Sequence, residues 1–163
     1  MTSSSNVGSA RGVGRVVIAL LGLLMSVGCS ITEPGRSRDD VELSRNRERW
    51  ATARVHDYEF DYQLLCFCAP EATEQVHIVV RGDQISAVTR TRDGLPALNQ
   101  FGHWPTVSDL FDDVQQQIER KADRIDVAYD ATYGYPKSIS VDVYLMAADD
   151  EFSQIASNLR PLH

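Results

Sequence analysis

Alternation of apolar and polar positions divides the chain into short, well-marked elements. In YEFDYQLLCFC (58–68), Tyr58, Phe60, Tyr62, Leu64, Cys66 and Cys68 alternate with Glu59, Asp61 and Gln63, and Asp57 precedes them in phase. That is the period of two of a strand with one apolar and one acidic face. Both cysteines fall on the apolar face. Leu65 and Phe67 interrupt the polar side, which predicts that this end of the strand is covered on both faces. EQVHIVV (74–80) alternates through Val76, Ile78 and Val80, Gly82-Asp83 forms a two-residue hairpin turn, and QISAVTR (84–90) returns. RIDVAYD (124–130) leads through a turn at Tyr133-Gly134-Tyr135-Pro136 into KSISVDVYL (137–145). There Ile139, Val141, Val143 and Leu145 face one way and Ser138, Ser140 and Asp142 the other. Residues 152–160 have an ambiguous period and are read as an edge strand.

Two segments carry a helical period instead. Around 40–53, Leu43, Arg47, Trp50 and Arg54 share a face, with Trp50 as the core anchor and the arginine stems lying across its edges. Further on, Thr106 stands as N-cap with Asp109 in the capping-box position. Val107, Leu110, Phe111, Val114 and Ile118 then trace one stripe. The order is helix, three strands, helix, two or three strands, with hairpin-length connections and no βαβ alternation. It predicts an α+β fold, an antiparallel sheet of five to six strands with two helices packed on one face. The halves share a plan, but no residue-level repeat links them. The longest irregular segment, 92–105, holds His103 and Trp104, and loops of this length carry function when they carry anything.

The N-terminus is read as an address. Arg11 and Arg15 precede the twelve-residue apolar run VVIALLGLLMSV (16–27), too short to span a bilayer comfortably and matching the apolar region of a secretory signal. The run stops at Gly28-Cys29-Ser30. A small residue followed by Cys resembles the lipobox of bacterial lipoproteins, in which the signal is removed and the new N-terminal Cys is lipidated. Ser26 stands where that motif usually has Leu, and Ser26 and Gly28 also fit an ordinary small-x-small cleavage site that leaves Cys29 unmodified. The predicted organisation is a signal over 1–28, the lipidated Cys29 with a short tether to residue 38, and one globular domain over 39–163. The expected location is the bacterial cell envelope, outside the cytoplasm. There the membrane contact is the N-terminal lipid and the partner an envelope protein or glycan.

Removal of the signal takes away two arginines and no acids, so the net charge falls from −7 to −9. Such a surface repels phosphates, which argues against nucleic acid as a partner.

Cysteine arithmetic sharpens with the anchor. Once Cys29 is lipidated, Cys66 and Cys68 remain as a closed pair where disulfides survive. Alternate residues of an extended strand have Cα atoms about 6.5–7 Å apart, at the upper limit for a disulfide, so a bridge needs a bend that Ala69-Pro70 makes plausible. Three readings stay open: a structural bridge or packed pair, a redox couple, and a Cu or Zn site completed by His103. Acids lie upstream and no base lies beside the pair to lower a thiol pKa.

The order of Trp50, Tyr58-Glu59-Phe60, Cys66-Phe67-Cys68, Thr106 to Phe111, Val127 to Asp130 and Gly134-Tyr135-Pro136 resembles a family of uncharacterised bacterial lipoproteins, a domain of unknown function. The resemblance spans about residues 48–160. It implies a lipid-anchored envelope domain and supplies no reaction.

No Ser-His-Asp set, G-x-S-x-G, phosphate-cradling glycine loop or H-E-x-x-H is present. Asp39-Asp40, Asp112-Asp113 and Asp149-Asp150 are read as helix starts or solvated faces, and Arg81-Gly82-Asp83 as a tight turn rather than an adhesion motif. Tyr133 and Tyr135, if they project together, form an aromatic platform for a peptide or glycan. With His103 and Trp104 they make up the expected binding surface. The expectation is a non-enzymatic binding module with no catalytic residue, cofactor or metal. The alternative is a thiol-redox or metal-handling protein built on Cys66 and Cys68.

Overall fold

The computed structural model describes residues 37–97, 104–146 and 149–162. Helix α1 (Arg38–Ala53) is followed by strands β1 (Tyr58–Cys66), β2 (Val76–Arg81) and β3 (Gln84–Arg90). Helix α2 (Val107–Arg120) follows, then β4 (Arg124–Tyr129), β5 (Pro136–Asp142) and β6 (Phe152–Pro161). The six strands form one antiparallel sheet in the order β3-β2-β1-β6-β5-β4. This is the α+β architecture that the alternation predicted. The expected signal, Cys29 and the expected tether up to residue 36 lie outside the described residues. Among the described residues, no helix is long and apolar enough to cross a membrane.

The segment 152–160, expected at an edge, lies instead at the centre. β6 pairs with β1 on one side and β5 on the other. Its pattern was illegible for two reasons. Gln154 points inward and is only 7% exposed, its amide oxygen accepting from the Tyr62 hydroxyl at 3.1 Å and its nitrogen donating to Asp113 at 3.1 Å. A bulge then changes the phase: Glu59 faces Arg160 but Asp61 faces Ser157, leaving one residue of β1 opposite two of β6. Asn158 absorbs the extra residue at φ 56°, a conformation that Asn tolerates. The inward set is therefore Phe152, Gln154 and Ala156, then Leu159, which no single period of two describes.

Tyr58, Phe60, Val76, Ile78, Val80, Ile139 and Val141 form the buried face of the sheet, against Leu43 of α1 and Val107, Leu110, Phe111 and Val114 of α2. Both helices converge on Tyr58. Trp50 meets its ring edge-on at 5.3 Å, and the Val107 N–H donates to its hydroxyl at 3.0 Å, satisfying one of the free amides of the first turn of α2. The capping box of Thr106 and Asp109 satisfies others, and Ser37 with Asp40 does the same for α1. Arg47 does not lie on Trp50 as expected. It reaches across to α2, 5.6 Å over the Phe111 ring and donating to Asp112 at 3.0 Å, while Arg54 is the left-handed C-cap of α1. β5 stops at Asp142, so Val143 is half-buried and Leu145 is exposed rather than in the core row.

The β4–β5 turn touches the body of α1. Gly134 has φ 81°, and a Cβ there would stand 2.7 Å from the Asn46 carbonyl oxygen. Gly134→Ala is expected to cost about 2–3 kcal/mol, combining left-handed strain with a backbone clash, and to appear as a lower urea midpoint with an unchanged slope. A wild-type midpoint would show that α1 and the turn separate freely.

Burial raises the Tyr58 hydroxyl to about 12 and pushes Tyr62, Tyr129 and Tyr135 upward as well. Unfolded tyrosines ionise near pH 10 while the folded ones stay protonated, so alkali favours the unfolded chain. This contribution is complete below pH 10 and is lost as pH rises through about 12. Urea midpoints should fall steeply across that window and less steeply in Tyr58→Phe; equal slopes would remove Tyr58 as a source.

Candidate functional site

The two ends of the sheet differ in chemistry. At one end lie the entry to β1, the β2–β3 turn and the β4–β5 turn, all closed by polar contacts. Gly82 and Asp83 take φ 56° and 63°, the Gly82 N–H donates to Asp57 at 2.7 Å, and Arg81 reaches the same carboxylate at 3.4 Å. Asp83 meets His56 Nδ1 at 2.7 Å. Arg81-Gly82-Asp83 is thus a turn whose charged side chains are held by its own chain. Asp57 is drawn below the usual carboxylate range chiefly by the Gly82 N–H.

At the other end β1, β3 and β5 finish and β2, β4 and β6 begin. Six of the seven large apolar side chains exposed among the described residues belong to this end: Leu65, Phe67, Leu95, Tyr144, Leu145 and Met146. Phe67 is 82% and Met146 98% exposed. The sequence predicted cover over both faces here, and the structure corrects that: Leu65 is exposed, Cys66 half-buried and Cys68 exposed. β1 stops at Cys66, where the chain turns away instead of continuing under a second layer.

A disulfide makes the turn. Cys66 and Cys68 are bonded with their Cα atoms 5.3 Å apart, closer than an extended strand allows, so the backbone bends at Phe67 and carries its ring outward. Ala69 then leads into a single 3₁₀ turn, Pro70–Thr73, pinned to β1 by the Gln63 amide donating to the Thr73 carbonyl at 3.1 Å. On the far side of β6, the β5–β6 connection is held by carboxylates. Asp150 accepts from the Tyr144 N–H and Asp123 from the Leu145 N–H, each at 2.9 Å. Backbone polarity is satisfied from below, and the apolar side chains are left outside. The carboxylates crowd one another: Asp142 sits above the usual range, first because protein displaces water from it and then through repulsion from Asp150, Glu151 and Asp123. At the β3 side the charges balance, with Arg90 and Arg92 paired to Asp93 and Glu74.

The other expected site residues are dispersed. Tyr135 is 4% exposed in the core, 6.4 Å from Trp50, and Tyr133 is half-buried, so the two do not project together as a platform. Trp104 is half-buried edge-on to Tyr62 at 6.5 Å. His103 and Cys29 lie outside the described residues. His77 points to the open sheet face, between Asp61 at 2.8 Å and Glu59 at 3.5 Å. Arg160 and Asn158 of β6 complete this cross-strand network. Beside Trp104, a cleft of about 290 Å³ is lined by Tyr62, Asp109, Asp112 and Asp113. Each carboxylate there already serves the fold: Asp109 caps α2, Asp112 meets Arg47 and Asp113 meets Gln154. Among the described residues, no group of three or more His, Cys, Asp or Glu side chains is placed to hold a metal ion.

A family model described as a family of unknown function, DUF6174, matches residues 42–161. The chain belongs to DUF6174. The match runs from residue 42, one turn into α1, through β6, so most of α1, all of α2, all six strands and the Cys66–Cys68 turn lie within the family domain, and the N-terminal segment with Cys29 lies outside it. No curated protein and no solved structure gives a significant match to the chain.

The disulfide has a direct test. Denatured Cys29→Ala protein should present no reactive thiol before reduction and two afterwards; two thiols without reductant would remove the bridge from this turn.

Proposed function

We propose that the chain is a lipid-anchored domain of the bacterial cell envelope that works by binding rather than by catalysis, through the apolar end of its sheet. The observation that carries the binding reading is the asymmetry of exposed apolar side chains, six of the seven among the described residues at one end. A solvated domain scatters such residues over its surface, and we take their gathering along one end, with Leu65, Phe67, Tyr144, Leu145 and Met146 following β1 and β5, as the mark of a contact surface. The anchor rests on Arg11, Arg15, the apolar run 16–27 and Gly28-Cys29, followed by a short polar stretch before α1.

Intact mass and metabolic palmitate labelling test the anchor. Wild-type protein is expected to carry acyl mass on Cys29 and to enter the detergent phase, and Cys29→Ala to do neither. An unacylated wild-type chain cut beside Gly28 would replace the anchor with plain secretion.

One observation favours a second reading. Cys68 is exposed at the apolar tip and bonded to Cys66. An external thiolate attacking the Cys68 sulfur would form a mixed disulfide and expel Cys66 as the thiolate, which is disulfide exchange. Exchange with glutathione no faster than that of a solvent-exposed model disulfide excludes this role.

A further inference from the structure

The tip combines a preset shape with a definite charge. The disulfide turn fixes Phe67, and the Asp123 and Asp150 carboxylates fix the backbone below Tyr144 and Leu145, so little order has to be gained when a partner arrives. Around the β5–β6 connection stand Asp123, Asp142, Asp150 and Glu151. The nearby Arg124 pairs with Asp126 and also acts on Asp142, where its pull is outweighed by the effects that raise that carboxyl. Apolar knobs beside a collar of four carboxylates restrict what can cover them. A second copy would set one acidic collar against another, and like charges brought together across an interface repel. An anionic bilayer meets the same repulsion. A protein with an apolar pocket and a cationic rim gains from both features.

We propose that the end of the sheet bearing Phe67, Tyr144, Leu145 and Met146 is a docking surface for an envelope protein that presents an apolar pocket rimmed by lysine or arginine. Phe67 is the central knob, the kind of exposed aromatic that dominates binding energy once it is buried in a partner. The carboxylates set orientation and speed encounter. The proposal rests on the binding-module reading and does not depend on the lipid.

Site-specific photo-cross-linking of the full chain in cells provides the test, with a benzoylphenylalanine at position 67 or 146 and a control at Thr132 in the opposite turn. The expected result is a discrete protein adduct from 67 and 146 and none from 132. Its yield should fall about tenfold in an Asp142→Asn, Glu151→Lys double variant, the loss of complementary charge weakening the encounter. A thermal melt of that variant like wild type shows that the fold is intact. The adduct partner, identified by mass spectrometry and purified, should bind the domain directly with an affinity that falls as salt rises. Adducts with lipid alone, adducts only with a second copy, equal yields at 132, yields unchanged in the charge variant, or no adduct would each overturn the proposal. A chain that lacks acyl mass yet forms the tip adduct overturns the anchor alone, whereas an acylated chain without the adduct overturns the docking surface.

Discussion

Everything in this domain depends on the pairing of its first strand with its last. β1 and β6 lie side by side at the centre of the sheet, and each half of the chain extends outward from that seam. The N-terminal half runs from centre to edge, β1 to β2 to β3. The C-terminal half runs from edge to centre, β4 to β5 to β6. The halves share a helix-then-strands plan, yet their first strands, β1 and β4, occupy non-equivalent places, one central and one at an edge. The seam closes a loop of almost the whole domain, so its entropy is offset only by contacts that form together. Those contacts are the backbone ladder, the Tyr62–Gln154 bond within the core and the Asp61–Asn158 bond on the outer face.

The outer face is the complement of this arrangement. Glu59 and Asp61 lie two residues apart on one face of β1, where like charges oppose each other, and they persist because neighbours on both sides answer them. His77 of β2 sits between the two carboxylates, and Arg160 and Asn158 of β6 take the remaining oxygens. The acidic face is therefore a tie across three strands rather than a waiting ligand site. The same is true of the aspartates beside Trp104, each engaged with a helix cap, Arg47 or Gln154. Polar groups in this domain mostly serve the fold. The unspent chemistry is apolar and lies at one end, where Phe67, Tyr144, Leu145 and Met146 remain outside.

Much of this was legible in the alternation. Tyr58, Phe60 and Tyr62 faced inward as predicted, Gly82-Asp83 made the hairpin, and Thr106 with Asp109 capped α2, because each signal is local and complete within a few residues. The misreadings share one cause. β6 lost its period through a buried glutamine and a bulge, both of which make sense only beside β1. Arg47 left Trp50 for Phe111 because α2 lies next to α1 in space and sixty residues on in sequence. Tyr135 was read as surface because its neighbour Trp50 belongs to another element. The inward-facing Gln154 left no local signal, since a glutamine in a strand reads as solvent-facing unless its partners are known.

The apolar end of the sheet shows the same division. Sequence alone placed Cys66 and Cys68 on one face of β1 and showed that Leu65 and Phe67 break its polar rhythm, but it ran the strand of β5 on through Leu145, which the structure ends at Asp142. It could not decide whether those apolar residues were covered, because cover is supplied by elements distant in the chain. The tertiary structure placed both helices on the opposite face and β6 between β1 and β5, so that the CFC turn and the YLM loop emerge at one end with nothing above them among the described residues. Period and capping are properties of a few consecutive residues and are written in the chain. Exposure is a property of what packs against them, and only the assembled sheet settles it.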